Sequence, residues 1–220
     1  MSLKIKLDSI DLTSISGVMV DIDDTLYRYK IPNEKAIKSC YKSIQSSNLI
    51  NSISLNEFRN LYVKNRLLIT EKLHPQGVCR SRQLAFDSLF NSFNVPHAYK
   101  HAKRYEEIYW QSFYREMKVS FEMKDFLVNV KKLGLTTCAV TDMQTSFQVE
   151  KLKKLNLSKY IDFLATSEEA GAEKPNKKIF NLALQKMQLS KSKVIMIGDS
   201  INKDIKGAEA FGIKAIHYQA

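Results

Sequence analysis

The sequence predicts an α/β protein with a Rossmann-like core, a parallel five-stranded sheet with helices on both faces, and an inserted four-helix bundle. Five short, apolar, β-rich runs are separated mostly by helical patterns, which is typical of a parallel sheet. More than a hundred residues separate the first run from the second, although a parallel crossover needs only about a dozen. The 220 residues include only 7 Gly and 4 Pro, which disfavours a turn-rich all-β fold.

The first predicted strand covers residues 17–22, and the other strands follow the long gap. Helical patterns, with apolar residues three and four positions apart, lie before and between these later strands. The later strands are residues 135–141, 161–166, 194–198 and 214–218, and the helices are residues 121–132, 147–155, 179–187 and 204–211. This order places helices on both faces of the sheet.

The long segment between the first and second predicted strands has helical patterns throughout. We therefore expect an α/β core from residues 1–27 and 119–220 and a helical cap from residues 28–118. The predicted cap helices are residues 33–46, 55–72, 81–93 and 98–118, with breaks at residues 47–51, 74–77 and 94–96. Aromatic residues at helical spacing in the last helix are expected in the bundle core rather than as a base-stacking platform: Tyr105, Tyr109, Trp110, Phe113 and Tyr114.

The net charge of +11 lies almost entirely in the insertion. Residues 28–119 hold 16 Lys and Arg against 7 Asp and Glu, a net charge of +9. Uneven charge of this kind indicates that one part of the molecule meets an anion. A group of basic and aromatic residues suits an anionic substrate, although solvated surface is the expected place of each one alone: Tyr27, Arg28, Tyr29, Arg66, His74, Arg80 and Arg82.

Several classes of protein are disfavoured. The three cysteines are scattered and odd in number, so we expect neither a disulfide scaffold nor a zinc site. No apolar run approaches 18 residues, so no membrane partner is expected. Residues 1–5 lack the apolar core of a signal peptide, which makes a cytoplasmic location the default expectation.

Carboxylates follow two of the predicted strands. Asp21, Asp23 and Asp24 come at the end of the first strand, and Asp199 and Asp204 come after the fourth. Like charges this close repel and raise one another's pKa, a crowding that proteins tolerate mainly where a cation neutralises it. If the two strands are neighbours, the carboxylates meet at one edge of the sheet, and all-oxygen ligands favour Mg²⁺ over zinc.

Two further polar groups are expected at the same edge. Thr141 ends the second predicted strand, where a hydroxyl and a backbone N–H at the start of a helix suit a phosphate. Lys174 lies in the loop after the third strand. Alone, a threonine here is more often a helix cap and a lysine more often a surface residue. Four such features at four strand ends are harder to attribute to chance.

These motifs resemble those of the haloacid dehalogenase-like hydrolases. The run Asp21-Ile22-Asp23-Asp24-Thr25 is similar to the DxDxT motif of that family, and Gly198 to Asp204 is similar to its GDxxxxD motif. Thr141 and Lys174 fall at the second and third motifs. The resemblance covers roughly the whole chain, and the insertion resembles the helical cap of the subfamily that includes nucleotidases and sugar-phosphate phosphatases.

The resemblance implies a role for each motif residue. Asp21 would be the nucleophile that forms an aspartyl-phosphate, and Asp23 would be the general acid and base. The nearby charge of Asp21 favours a proton on Asp23, whereas bound Mg²⁺ would act in the opposite direction. Dehalogenases of the family lack a carboxylate at the position of Asp23, so the resemblance favours phosphoryl transfer. Lys174 and Thr141 would hold the phosphoryl oxygens.

The resemblance also implies a Mg²⁺ cofactor. Its ligands would be the Asp21 side chain, the backbone carbonyl of Asp23 and Asp199, while Asp204 would orient the neighbouring groups. Asp24 would be a turn residue whose backbone N–H faces the phosphate. Asp142 follows the second-motif threonine, where many family members carry Asn, so its role as a phosphate or substrate contact is an open hypothesis.

The function that we predict is a Mg²⁺-dependent phosphatase of a small anionic metabolite, such as a nucleoside monophosphate or a sugar phosphate. A phosphomutase or phosphotransferase is the nearest alternative, because the same aspartyl-phosphate can be passed to a hydroxyl. The basic charge also suggests a nucleic-acid-binding or processing protein, although the sequence shows no recognised nucleic-acid motif. Both a monomer and a homodimer fit the sequence.

Overall fold

A computed structural model describes residue 7 and residues 10–47, 49–50 and 53–220. Residues 1–5, on which the expected cytoplasmic location depends, lie outside the described residues, as do residues 48 and 51 of one predicted break. Among the described helices, none combines the length and the apolar character that crossing a bilayer requires.

Five parallel strands form one sheet within the described residues, in the order β3-β2-β1-β4-β5. The strands are β1 Gly17–Val20, β2 Thr136–Thr141, β3 Phe163–Thr166, β4 Val194–Gly198 and β5 Lys214–His217. The predicted fold class is confirmed, and β1 and β4 are neighbours, with Val20 opposite Ile197. The strand order reverses at β1, and a ligand of an open α/β sheet binds beside such a switch point.

The central strands are apolar without alternation because both faces of the sheet are covered. Every residue of β1 and of β4 is buried. The β1 strand ends two residues before the predicted boundary, although the backbone N–H of Asp21 still donates to the Ile197 carbonyl at 2.9 Å. The chain then turns through Asp24, whose φ of 61° lies in the left-handed region that Asp tolerates better than most residues.

The chain divides into two compact units. The first, here called the α/β unit, comprises the described residues up to Arg28 together with Pro75–Gly77 and Lys118–Ala220. Its helices are α5 Phe121–Lys132, α6 Thr145–Lys154, α7 Ser167–Ala170, α8 Lys177–Met187 and α9 Lys206–Ala210. A π-helical turn, Ile201–Ile205, precedes α9 where the sequence predicts one continuous helix over residues 204–211.

The second unit, here called the helical unit, comprises Tyr29–His74 and Val78–Met117. Its helices are α1 Lys30–Ser47, α2 Leu55–Leu73, α3 Arg82–Ser92 and α4 Ala98–Glu116. The aromatic residues of α4 are largely core residues, as the sequence predicts, because Tyr105, Tyr109 and Phe113 are fully buried. The stacked rings of Tyr109 and Phe113 have centroids 5.7 Å apart.

Arg82 corrects a prediction in the helical unit. We expected it on the solvated surface, yet it is only 3% exposed. Its guanidinium donates to the hydroxyl of Tyr29 at 2.6 Å and lies 5.3 Å from the centre of the Tyr109 ring. A planar, weakly hydrated guanidinium can be buried in this way because aromatic faces and hydroxyl oxygens replace part of its hydration.

Candidate active site

Asp21 lies at the carboxyl end of β1, at the switch point of the sheet. Its side chain is buried, and its Oδ1 lies 2.5 Å from the Nζ of Lys174. The Thr25 hydroxyl approaches the other oxygen at 3.4 Å. Burial raises the pKa of Asp21, and the ammonium of Lys174 opposes that effect.

Lys174 joins three segments of the α/β unit. Besides Asp21, its Nζ contacts the Oδ1 of Asp204 at 2.7 Å and donates to the Val140 carbonyl at 2.8 Å. Burial alone would lower the pKa of Lys174, but the carboxylates of Asp204 and Asp21 raise it above its usual range. The carboxylates therefore favour the charged form of this buried lysine.

Three carboxylates form a cluster that can hold a metal ion. Oxygens of Asp21, Asp199 and Asp204 all lie within 4.8 Å of one another. Burial, together with the charges of Asp204 and Asp24, raises the pKa of Asp199 to about 6. An all-oxygen set under this repulsion fits a hard divalent cation such as Mg²⁺. The geometry brings Asp204 into the cluster itself, where the sequence predicts only an orienting role.

The side chain of Asp23 forms an ion pair with a lysine that lies outside this carboxylate cluster. Both of its carboxylate oxygens accept hydrogen bonds from Lys151 Nζ, at 2.6 and 2.8 Å, and Tyr27 donates its hydroxyl to the same carboxylate. Burial would raise the pKa of Asp23, but the Lys151 ion pair outweighs it and lowers that pKa. The ion pair favours the ionised form of Asp23, and the sequence does not show that Lys151 faces this carboxylate.

Thr141 ends β2 beside these groups. Its hydroxyl accepts a hydrogen bond from the amide of Gln148, at 2.8 Å, so α6 fixes the position of the threonine oxygen. The next residue, Asp142, accepts the backbone N–H of Lys174 at 2.8 Å and the ammonium of Lys203 at 2.6 Å. Both carboxylate oxygens of Asp142 are therefore engaged by the protein.

Sequence reasoning missed two lysines that contact the acidic residues. Lys151 is fully buried although it lies on an amphipathic helix, and Lys203 contacts both Asp142 and Glu173. The position of Lys151 could have indicated that it is buried, because it shares a helix face with the buried residues Gln148 and Leu152. The sequence shows no comparable signal for Lys203.

Comparisons with known sequences agree on one family. A family model described as "haloacid dehalogenase-like hydrolase" matches residues 15–212. A ribulose-1,5-bisphosphate 5-phosphatase of Halopiger xanaduensis is 27% identical over 201 residues, which cover 91% of this chain and 83% of the relative. A glyceraldehyde 3-phosphate phosphatase of Methanopyrus kandleri is 26% identical over 204 residues, which cover 92% and 83%.

Solved structures show the same fold. A 2-haloacid dehalogenase from Pseudomonas syringae superposes with a TM-score of 0.76 at 19% identity, over 93% of this chain and 86% of the other. The magnesium-bound hydrolase YfnB from Bacillus subtilis has a TM-score of 0.71 at 18% identity, over 92% and 88%. At these identities the likeness concerns the fold alone, because dehalogenases and phosphatases share it.

Proposed function

Because this chain belongs to the haloacid dehalogenase-like hydrolase family, we propose that it is a Mg²⁺-dependent phosphatase that hydrolyses a small phosphorylated metabolite through an aspartyl-phosphate. Relatives that align with most of the chain are phosphatases of phosphorylated sugars, which supports a hydrolase of phosphoric monoesters. The fold alone leaves C–halogen cleavage open, so the choice of chemistry rests on the site.

One observation carries the proposal. Asp21 is buried at the carboxyl end of β1 with an ammonium 2.5 Å from its Oδ1, and a second carboxylate, Asp23, follows two residues later. A nucleophilic carboxylate needs a cation beside it to accept an anionic phosphoryl group. The second carboxylate provides an acid and base for an alcohol leaving group, which a halide leaving group does not need.

In the proposed reaction, a carboxylate oxygen of Asp21 attacks phosphorus and the P–O bond to the alcohol breaks. The alcohol oxygen takes a proton from Asp23, and Asp23 then removes a proton from the water that attacks the aspartyl-phosphate. The ionised form of Asp23, which Lys151 favours, suits the second step. Before the first step, the Lys151–Asp23 ion pair must open and Asp23 must take up a proton from solvent as substrate binds. The water attack of the second step then returns a proton to Asp23.

The phosphoryl oxygens would be held by Lys174, by the hydroxyl of Thr141 and by the backbone N–H of Asp24. Asp21, Asp199 and the backbone carbonyl of Asp23 would hold Mg²⁺, with Asp204 beside them. The ion would supply positive charge against the repulsion between carboxylates and phosphate. Lys174 adds a fixed charge at the same place because its pKa is raised.

A panel of phosphate esters tests the proposal. The wild type should release phosphate in the presence of Mg²⁺ from at least one of ribulose 1,5-bisphosphate, glyceraldehyde 3-phosphate, phosphoserine, phosphoglycolate, flavin mononucleotide and the nucleoside monophosphates. Asp21→Asn should abolish the release with an unchanged circular dichroism spectrum, because an amide is not a nucleophile here. The exposed Asp125→Asn on α5 is the matched control.

The same assay separates the alternatives. Release of phosphate without an added acceptor identifies a hydrolase, whereas a strict need for a second sugar phosphate identifies a mutase or phosphotransferase. Turnover by Asp21→Asn near the wild-type rate would exclude the aspartyl-phosphate. Activity of the wild type in excess chelator would exclude the metal.

A further inference from the structure

Lys203 joins two carboxylates from different segments of the α/β unit. Its Nζ lies 2.6 Å from the Oδ2 of Asp142, at the end of β2, and 3.1 Å from the Oε2 of Glu173, in the loop that follows α7. The lysine itself belongs to the π-helical turn after β4. The Glu173 side chain is fully buried, that of Asp142 is 15% exposed and that of Lys203 is 35% exposed, so the two carboxylates are largely shielded from water while the ammonium stays partly solvated.

The contacts continue from Lys203 to the nucleophile. The Oδ1 of Asp142 accepts the backbone N–H of Lys174 at 2.8 Å, and the Nζ of Lys174 lies 2.5 Å from Asp21. Lys174 directly follows Glu173. Lys203 therefore contacts the side chain of the residue before Lys174 and, through Asp142, is linked to the backbone N–H of Lys174. The backbone of Lys174 is therefore held from two directions by one ammonium.

Removing that ammonium would leave two carboxylates facing each other in a poorly hydrated place. Like charges repel, and two largely buried carboxylates would lose part of the attraction that offsets their burial. The repulsion between Asp142 and Glu173 would act directly on the segment that carries Lys174. An error of about 1 Å in a group that positions the reacting atoms can cost about a hundredfold in rate.

We propose that Lys203 is a positioning residue of this enzyme: through Asp142 and Glu173 it fixes the backbone of Lys174 and so keeps the Lys174 ammonium on Asp21. The inference rests on the proposed phosphatase function and deepens it. It also gives Asp142 a role as a link within the protein instead of a substrate contact. Asp142 and Lys203 act as a pair, because the charge of each compensates the other.

Steady-state kinetics with p-nitrophenyl phosphate and Mg²⁺ test this role. Lys203→Met should lower kcat at least tenfold and change KM less than threefold, while Lys203→Arg should keep most of kcat. The double variant Asp142→Asn with Lys203→Met should recover much of the loss. The neutral Asn still offers an oxygen to the Lys174 N–H but no longer repels Glu173.

The chain offers a matched control at the other end of β2. Lys131 contacts Asp162 at 2.7 Å, and Asp162 also accepts a backbone N–H, that of Thr137, at 2.9 Å. Lys131→Met removes the same kind of ion pair away from the carboxyl ends of the strands and should leave kcat within twofold of the wild type. Equal losses in Lys131→Met and Lys203→Met would overturn the inference, as would a rise in KM that exceeds the fall in kcat.

Amide hydrogen exchange provides a readout that does not depend on activity. The Lys174 N–H should exchange at least tenfold faster in Lys203→Met than in the wild type, and at the wild-type rate in Lys131→Met. Unchanged exchange would refute the positioning role even if activity falls. A wild type that releases no phosphate from any ester would refute the proposed function, and the exchange experiment would still decide the role of Lys203. If Lys203→Met fails to fold, kcat and the exchange rate of the Lys174 N–H are compared between the wild type, Lys203→Arg and the double variant.

Discussion

The buried ammonium of Lys151 lowers the pKa of its neighbour Asp23. The side chain is fully buried on the face of α6 that also carries Gln148 and Leu152, and its ammonium contacts both oxygens of Asp23. Because burial of a lone lysine is costly, this ammonium and the carboxylate stabilise each other only as a pair. The ion pair, together with the Tyr27 hydroxyl, also fixes the direction in which Asp23 points.

Replacing Lys151 with Met should therefore lower phosphatase turnover. Without the ammonium, Asp23 is a partly buried carboxylate beside Asp21, so its pKa should rise and its orientation should relax. We expect kcat to fall at least tenfold, since a well-placed general acid and base contributes about 10²–10⁴. Lys153→Met on the same helix, where the lysine is 59% exposed and pairs with Glu150, should leave kcat unchanged. Equal kcat values for the two variants and the wild type would contradict this role.

The acidic residues and Lys174 can be predicted from the sequence, whereas their partners cannot. Asp21 and Asp199 follow buried strands, and the carboxyl ends of parallel strands meet at one edge. Lys151 and Lys203 lie in helical segments, where a lysine is ordinarily a solvated residue. Only the packing of α6 and of the π-helical turn against the strand ends turns these two lysines inward.

At the scale of the elements, the turn after β4 depends on a glycine for space. A Cβ at Gly198 would collide with the carboxylate of Asp204, which accepts the Ser200 N–H at 2.9 Å. The collision and not the backbone conformation requires the glycine. The close approach lets the π-helical turn bring Asp204 to Lys174.

Gly198→Ala should thus displace Asp204 and weaken its contact with Lys174. Overpacking of this kind costs about 1–3 kcal/mol, so we expect a lower free energy of unfolding in urea and a fall in kcat. Measuring both quantities on one preparation separates local displacement from general instability. A variant with wild-type stability and kcat would show that Asp204 has room to move.

The start of α2 provides a second test at this scale. Ser54 and Glu57 form a capping box: the serine oxygen accepts the Glu57 N–H at 3.3 Å, and the glutamate accepts the Ser54 N–H at 2.9 Å. Ser54→Ala should lower the free energy of unfolding by about 1 kcal/mol. Phosphatase kcat should not change. A loss of kcat without a loss of stability would contradict a purely structural role for this cap.

The elements themselves follow closely from the sequence. Every strand lies within about two residues of its predicted bounds, and α5 and β4 coincide with them. The π-helical turn is missed because apolar periodicity does not distinguish a π-helical turn from an α-helix. The short α7 is missed because four residues are too few for a helical pattern.

At the scale of the whole molecule, a cation bound at the carboxylate cluster would stabilise the folded chain. Oxygens of Asp21, Asp199 and Asp204 repel one another when no cation is bound, so Mg²⁺ should bind the folded chain far better than the unfolded one. At a concentration one hundred times its dissociation constant, Mg²⁺ should add about 2.7 kcal/mol of stability.

Calorimetry at constant ionic strength should show this effect as a rise of roughly 5–10 °C in Tm with Mg²⁺ over excess chelator. Asp199→Asn should reduce the difference, because one charged ligand is lost. Sodium at matched ionic strength should not reproduce it, since screening alone is nonspecific. Identical Tm values with Mg²⁺ and with chelator would contradict a metal site in this cluster.

The two ends of the insertion meet as neighbouring backbones. Tyr27 forms an antiparallel bridge with Val119, and the Ser120 N–H donates to the Leu26 carbonyl at 2.8 Å. The first exit of the chain from the α/β unit and its final return to that unit therefore lie side by side, although Pro75–Gly77 also belongs to the α/β unit. An inserted segment with paired ends can be lengthened, shortened or exchanged in evolution without altering the order of the strands. One catalytic scaffold can in this way acquire different substrate preferences while its chemistry stays the same.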